Sequence, residues 1–318
     1  MTVDVARRPG RSGGRSLRLR KVEDLGAPVA PSSLRPKSGA VAPRSARRVV
    51  GRDVARSLCL LFAWLLLFGT VLSAAQEQRS QHVLFAQLRQ QLAEATAPVQ
   101  APIPVGAPVA LLSIARLGVR NLVVVEGSAS TQLQQGPGHL PSTVLPGAVG
   151  VSVLLGRATT YGQPFRRIPE LIAGDRITAV SGLGTTTYIV SGIRHAGDRL
   201  TPPPGGTGRL TLVTAQGSGW RSGWAPSTTV YVDAIARKPV IGGPVGVASA
   251  AMGPMAADSS TLISLVFWLQ ALLALGFVVS RFSVRWGYNR TWLVGGLLLV
   301  AVMWGATSAA WPLLPNLI

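Results

Sequence analysis

The stretch of sequence that decides the fold class is residues 208–215, GRLTLVTA, an apolar run of strand length that begins at a glycine. Similar runs rich in Val, Ile, Leu and Thr precede and follow it, with Gly and Pro between them: ALLSI, LVVVEG, VGVSVLL, DRITAV, TTTYIVSGI and TTVYVDAIA. Short strands separated by turn signals are typical of closed or nearly closed all-β domains. The sequence therefore predicts a mainly β, barrel-like domain over residues 109–238, with one short helical turn at residues 165–171.

Three apolar stretches outside this domain predict membrane-spanning helices. They cover residues 57–75, 261–280 and 291–311, and none of them contains a charged residue. A helix of about 20 residues, rising about 1.5 Å per residue, crosses the hydrocarbon core of a bilayer. The whole chain is 47% hydrophobic and 14% charged, with a mean hydropathy of +0.35. These properties exclude a cytosolic globular protein and predict a multi-pass membrane protein.

Basic residues beside the three spans predict the orientation of the chain. Cytoplasmic flanks of membrane helices are enriched in Arg and Lys. Arg52 and Arg56 lie just before the first span, and Arg281 and Arg285 lie between the second and the third. We therefore expect a plasma-membrane protein with an uncleaved first span and a cytoplasmic N-terminus. The barrel is then on the extracellular, periplasm-like side.

The N-terminal region, residues 1–56, is rich in Arg, Pro, Gly and Ser and carries 14 basic and 4 acidic residues. It has too little apolar surface to offset the entropy lost on ordering, so we predict a disordered, basic cytoplasmic tail. Arginine clusters suit phosphate groups, but no aromatic residues are interleaved with them and no DNA-binding motif is present. Contact with the inner membrane leaflet is therefore a better prediction than nucleic-acid binding.

Two connecting segments join the barrel to the spans. Residues 76–108 begin with a helical extension, in which Leu84, Leu88 and Leu92 recur every four residues, and end in a Pro/Ala linker. This repeat places the three leucines on one helix face, so we expect the stripe to pack on the barrel or on a partner. Residues 239–260 form the second linker.

The order of short motifs along the barrel resembles the sortase domain, particularly class E-like members from Gram-positive cell envelopes. The motifs are SIARLGV, VVVEG, GPGHLPSTVLPG, GRATTYGQPF, an L-x-x-G-D element at residues 171–175, TYIV and TLVTA. They follow the family order over residues 105–236. The resemblance implies an eight-stranded β-barrel outside the membrane that binds a peptide sorting signal. Active members cleave that signal through a cysteine thiolate, with a histidine and an arginine beside it, and pass the acyl group to an amine.

The three residues that the resemblance assigns to catalysis are replaced in this sequence. The family cysteine ends a TLVTC strand, where this chain has Ala215; the histidine belongs to a G-H-R element, where it has Arg157. The family arginine opens the final strand, where this chain has Thr229. A thiolate attacks an amide readily near neutral pH, whereas a guanidinium cannot shuttle protons there. The sequence therefore predicts a pseudoenzyme with no catalytic residue.

Other residues leave two alternative functions open. Thr214 or Ser218 is a candidate nucleophile of a noncanonical hydrolase or transpeptidase, provided that His195 lies beside it as a base. Alternatively, the groove is a receptor that holds sorting-signal-like peptides without cleaving them, because arginine can grip a carboxylate with two parallel hydrogen bonds. The candidate binding groove comprises Arg157, Thr214, Ser218, Trp220 and Thr229.

Cysteine and histidine usage predicts that the chain holds no metal and no cofactor. Its single cysteine, Cys59, lies inside the first apolar stretch, so no disulfide framework or thiolate metal cage is expected. The three histidines lack metal-ligand spacing. His139, in the GPGH turn, is expected to be structural.

The spans carry features that favour assembly. Gly305 with Ala309, and Gly69 with Ser73, form small-residue faces that permit close helix approach. Gln270 places an amide in the middle of the second span. These features are satisfied either within the chain or by another membrane protein. We therefore expect a scaffold or partner-recruiting subunit of a cell-envelope complex. Its expected partners are membrane and envelope proteins, with a peptide or C-terminal segment as a further ligand.

Overall fold

The computed structural model describes residues 59–199, 205–217, 228–238, 259–286, 288–314 and Leu317. The predicted basic tail, residues 1–56, and most of the linker at 239–260 lie outside these residues, so both remain predictions. The described parts consist of one β-barrel and three long helices. This confirms the mainly β fold with three helices of membrane-spanning length and composition.

Eight strands close into a barrel in the order β1-β2-β3-β4-β7-β8-β6-β5. Two of the pairings, β2 with β3 and β4 with β7, are parallel, so the closed sheet is mixed. The strands are β1 Pro108–Ile114, β2 Val119–Glu126, β3 Gly138–His139, β4 Gly150–Leu155, β5 Arg176–Ser181, β6 Gly184–His195, β7 Gly208–Gln216 and β8 Thr228–Ala236.

Strand β7 is buried on both faces, which explains why it carries apolar residues on both sides. Side chains alternate between the two faces of a strand. Leu210 and Leu212 therefore point into the barrel core, whereas Val213 and Ala215 point outward into a second apolar cluster. Every residue of β7 except Gln216 is buried. The outer face of this strand is consequently an internal surface of the molecule.

The strand pattern in the sequence missed one element, β3. This strand has only two residues, Gly138 and His139, which pair with β2 on one side and β4 on the other. A two-residue strand shows no periodicity, so only the sortase resemblance supplied the eighth strand. The predicted helical turn is confirmed as a 3₁₀ turn at Ile168–Glu170.

The helices match the three predicted spans and extend beyond them. Helix α1 covers Cys59–Ala93, with a π-helical stretch at Phe68–Leu72. Helix α2 is a single turn at Ser130–Leu133 in the barrel. Helices α3, Leu262–Trp286, and α4, Tyr288–Ala310, are separated by one residue and pack against each other.

The small-residue faces are used inside the chain. A Cβ added at Gly305 would clash with the indole of Trp268, and one added at Gly69 would lie 3.2 Å from the ring of Trp311. Trp64 Nε1 donates a hydrogen bond of 3.0 Å to Thr307 Oγ1. These glycines therefore make room for tryptophans of neighbouring helical segments.

Helix α1 continues out of its apolar part and packs along the barrel. Leu84 and Leu88 are buried against Val123 and Val125 of β2. Gln81 reinforces the contact, because its Nε2 donates to Val123 O at 3.0 Å and its Oε1 accepts from Val123 N at 2.8 Å. The leucine stripe therefore packs on the barrel, which was one of the two expected outcomes.

Candidate functional site

The candidate site is an apolar pocket on the outer face of the barrel, at the end of β7. We call it the β7 pocket. Its occupant is Leu317, whose side chain is 0% exposed. The backbone of this residue is also held, because Ala158 N donates a hydrogen bond of 2.9 Å to Leu317 O. The lining residues come from four separate parts of the barrel: Leu133, Leu155, Ala158, Val213 and Ala215.

Strand register places two of the three replaced family positions side by side. Ala215 of β7 pairs directly with Thr229 of β8. Ala215 is 4% exposed and Thr229 is 8% exposed, so neither is open to solvent. Methyl groups cannot act as nucleophiles, and the one at position 215 packs in the same cluster as Leu317. The side chain at position 215 therefore contributes packing at the end of β7.

Arg157, at the third replaced position, is buried rather than displayed on a groove wall. Its side chain is 0% exposed. Nη2 donates to Ser130 Oγ at 2.6 Å and to Ser130 O at 3.3 Å, and Nη1 donates to Thr160 Oγ1 at 3.3 Å. Its Cζ lies 5.1 Å from the ring centroid of Tyr161. The guanidinium therefore joins the loop after β4 to helix α2.

Burial shifts the pKa values of this buried pair in opposite directions. Desolvation lowers the pKa of Arg157 to about 10, so the guanidinium is still charged at neutral pH. Desolvation raises the pKa of the Tyr161 phenol to about 12, so its hydroxyl stays protonated. Neither group titrates near neutrality, which excludes both as proton shuttles in this pocket.

The structure does not bring Thr214 and His195 together. Thr214 is fully buried, and its hydroxyl donates to Gly156 O at 3.1 Å. Both residues pair with Val230 of β8 from opposite sides, so two strand spacings of about 4.8 Å each separate their backbones. His195 is exposed, and its Nδ1 lies 3.9 Å from Asp198 Oδ2. Ser218 and Trp220, the other predicted groove residues, lie outside the described residues.

A Thr–His–Glu arrangement does occur elsewhere, around His139. Its Nδ1 lies 2.7 Å from Glu126 Oε2, and its Nε2 lies 3.2 Å from Thr143 Oγ1 and 3.0 Å from Val144 O. The Thr143 hydroxyl already donates to Leu140 O at 2.7 Å. Its proton is therefore not directed at the imidazole, and the buried histidine ties a turn together. This agrees with the structural role expected for His139.

Sequence reasoning missed a polar group that continues the outer face beyond the pocket. Arg194 of β6 and Asp233 of β8 form an ion pair, with Nε 2.6 Å from Oδ2. The guanidinium of Arg194 also lies 4.3 Å from the ring centroid of Tyr231, and that tyrosine packs against the β7 pocket. The sequence signal for this group is the alternation of side chains along β6 and β8. Tyr231 and Asp233 lie on the same face of β8, and Arg194 of β6 pairs with Tyr231.

Comparison with known proteins agrees with this architecture. The family model of the sortase domain matches residues 112–221, which include Arg157 and Ala215. The chain contains a sortase-like domain. The match ends before Thr229, so the family model does not cover that residue. The strand register alone places it beside Ala215. No curated protein sequence matches the chain.

Several solved structures are similar to the sortase-like domain. A sortase D5 transpeptidase from Clostridium perfringens is 21% identical, with a TM-score of 0.42 over 50% of this chain and 99% of that chain. The SrtA sortase from Actinomyces oris is 25% identical, with a TM-score of 0.38 over 44% and 84% of the two chains. Sortase E from Streptomyces avermitilis is 27% identical, with a TM-score of 0.35 over 43% and 91%.

Proposed function

We propose that this membrane-anchored, sortase-like protein is catalytically inactive and serves as a scaffold or partner-recruiting subunit of a cell-envelope membrane complex. The observation that carries the proposal is the buried methyl group of Ala215 at the end of β7, packed in one cluster with Leu317. The barrel keeps its fold at this point, and the side chain at position 215 has no nucleophilic atom. A barrel that keeps its fold without the family's catalytic side chains favours a role in binding.

The other reactive groups support inactivity. The chain has one cysteine, Cys59, and it lies at the start of the described part of α1, within the apolar stretch. A thiol there cannot reach a peptide bound at the barrel. Arg157 is charged at neutral pH and bonded to Ser130, so it cannot protonate a leaving amine in the way an imidazole does.

The recruiting role is supported by Gln270 on helix α3. Its side chain is exposed in the middle of an apolar helix, and within the described residues no hydrogen bond holds its amide. An amide facing lipid is costly unless another helix bonds to it. The small-residue faces are occupied within the chain, so Gln270 is the better candidate for contact with a partner helix.

Co-purification tests the recruiting role. The full chain, tagged and solubilised in mild detergent, should retain a stoichiometric membrane partner, and Gln270→Leu should release it. Thr70→Val is the matched control, since the Thr70 hydroxyl lies in an apolar span but donates to Leu66 O of its own helix at 2.7 Å. Equal partner recovery from Gln270→Leu and the native chain would refute this contact.

Mass spectrometry tests inactivity. The purified full chain, incubated with sorting-signal-like peptides and an amine acceptor, should yield neither a covalent adduct nor a cleaved peptide. The triple variant Ala215→Cys, Arg157→His, Thr229→Arg is a positive comparison, because thiol, imidazole and guanidinium act as a unit. An adduct at Thr214 in the native chain would overturn the proposal in favour of a noncanonical hydrolase.

The orientation in the membrane belongs to the same proposal. Arginines that flank the spans favour a cytoplasmic N-terminus and a barrel outside the cell. In a Cys59→Ala background, Ala250→Cys should react with an impermeant thiol reagent on intact cells, and Trp286→Cys should react only after lysis. Labelling of the Trp286→Cys variant from outside would show that the three-span topology is inverted or wrong.

A further inference from the structure

A cavity of about 320 Å³ lies where α1, the barrel and the end of α4 meet. We call it the junction cavity. Leu65, Leu66 and Thr70 line it from the apolar part of α1, and Trp311 lines it from the 3₁₀ turn after α4. The barrel contributes residues of the loop after β4, among them Arg166. A charged residue of the barrel therefore shares a cavity with the apolar stretch of a candidate membrane span.

The barrel side of the junction cavity is polar and suits an anion. Arg166 is exposed, and its Nη1 donates to Gln163 Oε1 at 2.7 Å. Within the described residues no carboxylate forms an ion pair with this guanidinium. The hydroxyl oxygen of Thr159, which also lines the cavity, is buried and has no hydrogen-bond partner in the described parts of the chain. A guanidinium with further donors and a hydroxyl without a partner suit the oxygens of a phosphate.

A second cavity, of about 530 Å³, continues the first between α1, α3 and α4. We call it the helix crevice. Leu65, Leu66 and Leu314 line both cavities, so the two adjoin. Among the described residues that line the crevice, Thr307 alone has a hydroxyl group, and this hydroxyl donates to Met303 O at 2.7 Å. The crevice therefore suits a hydrocarbon chain rather than a polar ligand.

The two cavities together have a polar end and an apolar end, as a phospholipid does. Trp311 lies where they adjoin. Its ring packs on Phe68 of α1, with centroids 5.4 Å apart, and its Nε1 lies 3.4 Å from Thr160 Oγ1 of the barrel. Tryptophan favours the boundary between lipid headgroups and hydrocarbon. Lipid tails surround helices that cross a bilayer, so a lipid is the amphipathic molecule most available to the crevice.

We propose that the junction cavity and the helix crevice bind one phospholipid with an anionic headgroup, with its phosphate against Arg166 and an acyl chain in the crevice. The guanidinium favours a headgroup of net negative charge, because a zwitterionic headgroup already supplies a cation for its own phosphate. This inference rests on the membrane anchoring in the proposed function. It requires neither the inactivity nor the recruiting role.

Native mass spectrometry of the full chain in a mild non-ionic detergent tests the headgroup. The chain should retain one dioleoyl phosphatidylglycerol, and should bind it more tightly than dioleoyl phosphatidylcholine. Arg166→Gln should weaken phosphatidylglycerol binding about tenfold, because a charge-assisted hydrogen bond is lost, and should reduce the preference between the two lipids.

Arg167→Gln is the matched control for the headgroup experiment. Arg167 is a neighbouring exposed arginine that does not line the cavity, and its Nη2 donates to Glu170 Oε2 at 2.9 Å. The control removes the same charge and should leave lipid binding unchanged. Equal binding of the two lipids by the native chain, or equal weakening by Arg166→Gln and Arg167→Gln, would overturn the proposed site.

Competition in the same experiment tests the acyl-chain crevice. Dihexanoyl phosphatidylglycerol has the same headgroup but much shorter chains, so displacing the dioleoyl lipid should need a concentration higher by about tenfold or more. Inorganic phosphate should not displace the lipid. Displacement by phosphate, or equal competition by the short-chain lipid, would reduce the site to an anion site and overturn the lipid assignment. No partner or peptide is present, and Gln270→Leu should bind the lipid as the native chain does. Failure here would therefore leave the proposed function standing.

Discussion

The interior of the barrel and the β7 pocket are both apolar and buried, but they are assembled differently. The interior core comes mostly from strands that pair in register, such as Leu212 of β7 beside Val232 of β8. The pocket joins a helical turn, two strands, a loop and Leu317, which lies beyond the last helix. The alternation of apolar side chains along each strand is enough to build the interior core. The pocket depends on a contact made by a distant part of the chain.

The largest expected effect is in the interior. Leu212→Ala should lower the free energy of unfolding by about 2–5 kcal/mol, because it leaves a cavity around a side chain that is 0% exposed. Chemical denaturation of the detergent-solubilised chain, followed by tryptophan fluorescence, measures it. Ile172→Ala is the control, since that side chain is 55% exposed and should change stability by less than about 0.5 kcal/mol. Similar losses from both variants would remove the distinction between core and surface.

The second effect concerns the wall of the pocket. Ser130→Ala should cost about 1–3 kcal/mol, because it deprives the buried guanidinium of Arg157 of a hydrogen bond of 2.6 Å. In an Arg157→Met background the same change should cost much less, since no buried charge then loses a partner. A double-mutant cycle by denaturation measures the coupling. Additive losses would show that Arg157 does not brace helix α2.

The third effect comes from the same leucine-to-alanine substitution, made in the pocket instead of the interior. Leu317→Ala removes the same atoms as Leu212→Ala from a side chain that is equally buried. We expect a loss of no more than about 1.4 kcal/mol, the equivalent of one factor of ten, because the segment can leave without unfolding the barrel. Hydrogen exchange at the Ala158 amide should accelerate while exchange within β7 does not. A loss as large as that of Leu212→Ala would make Leu317 part of the core.

The last effect is a pH dependence in the interior, which is absent at neutral pH. Burial raises the pKa of Tyr188 from 10.0 to about 12, and Gly147 N donates to its oxygen at 2.7 Å. The folded state therefore keeps a proton that the unfolded chain loses above pH 10. The free energy of unfolding falls between pH 10 and 12, by at most about 1.4 kcal/mol per unit.

Tyr188→Phe isolates this contribution. At pH 7 the variant should be about 1 kcal/mol less stable, because Gly147 N loses its acceptor. The deficit should shrink as the pH rises past 10, because phenylalanine has no proton to lose. Denaturation of both proteins between pH 7 and 11.5 gives the difference curve. A constant deficit over that range would argue against the raised pKa.

Prediction from sequence succeeded where one strand or one helix carries its own pattern. Leu210, Leu212, Val213 and Ala215 alternate within β7, and the apolar runs of the three long helices are long enough to cross a bilayer. Family resemblance also placed Ala215 near Thr229, which the strand register confirms.

The remaining features depend on contacts between distant parts of the chain. The resemblance predicts Arg157 at the peptide groove, in the place of the family histidine. The side chain is instead fully buried, and Ser130 and Thr160 supply acceptors that only the fold brings near. Leu317 follows the third long apolar helix in the sequence, and nothing in its local pattern indicates a pocket in the barrel. Only side-chain contacts in three dimensions reveal such pairs.

The hydrogen bond from Tyr161 N to Ser73 Oγ, 3.2 Å long, ties the loop beside the pocket to α1 where that helix leaves its apolar stretch. Together with the Gln81 contacts further along, this bond holds α1 against the barrel at two points. We therefore expect the barrel and this part of α1 to move together as one body.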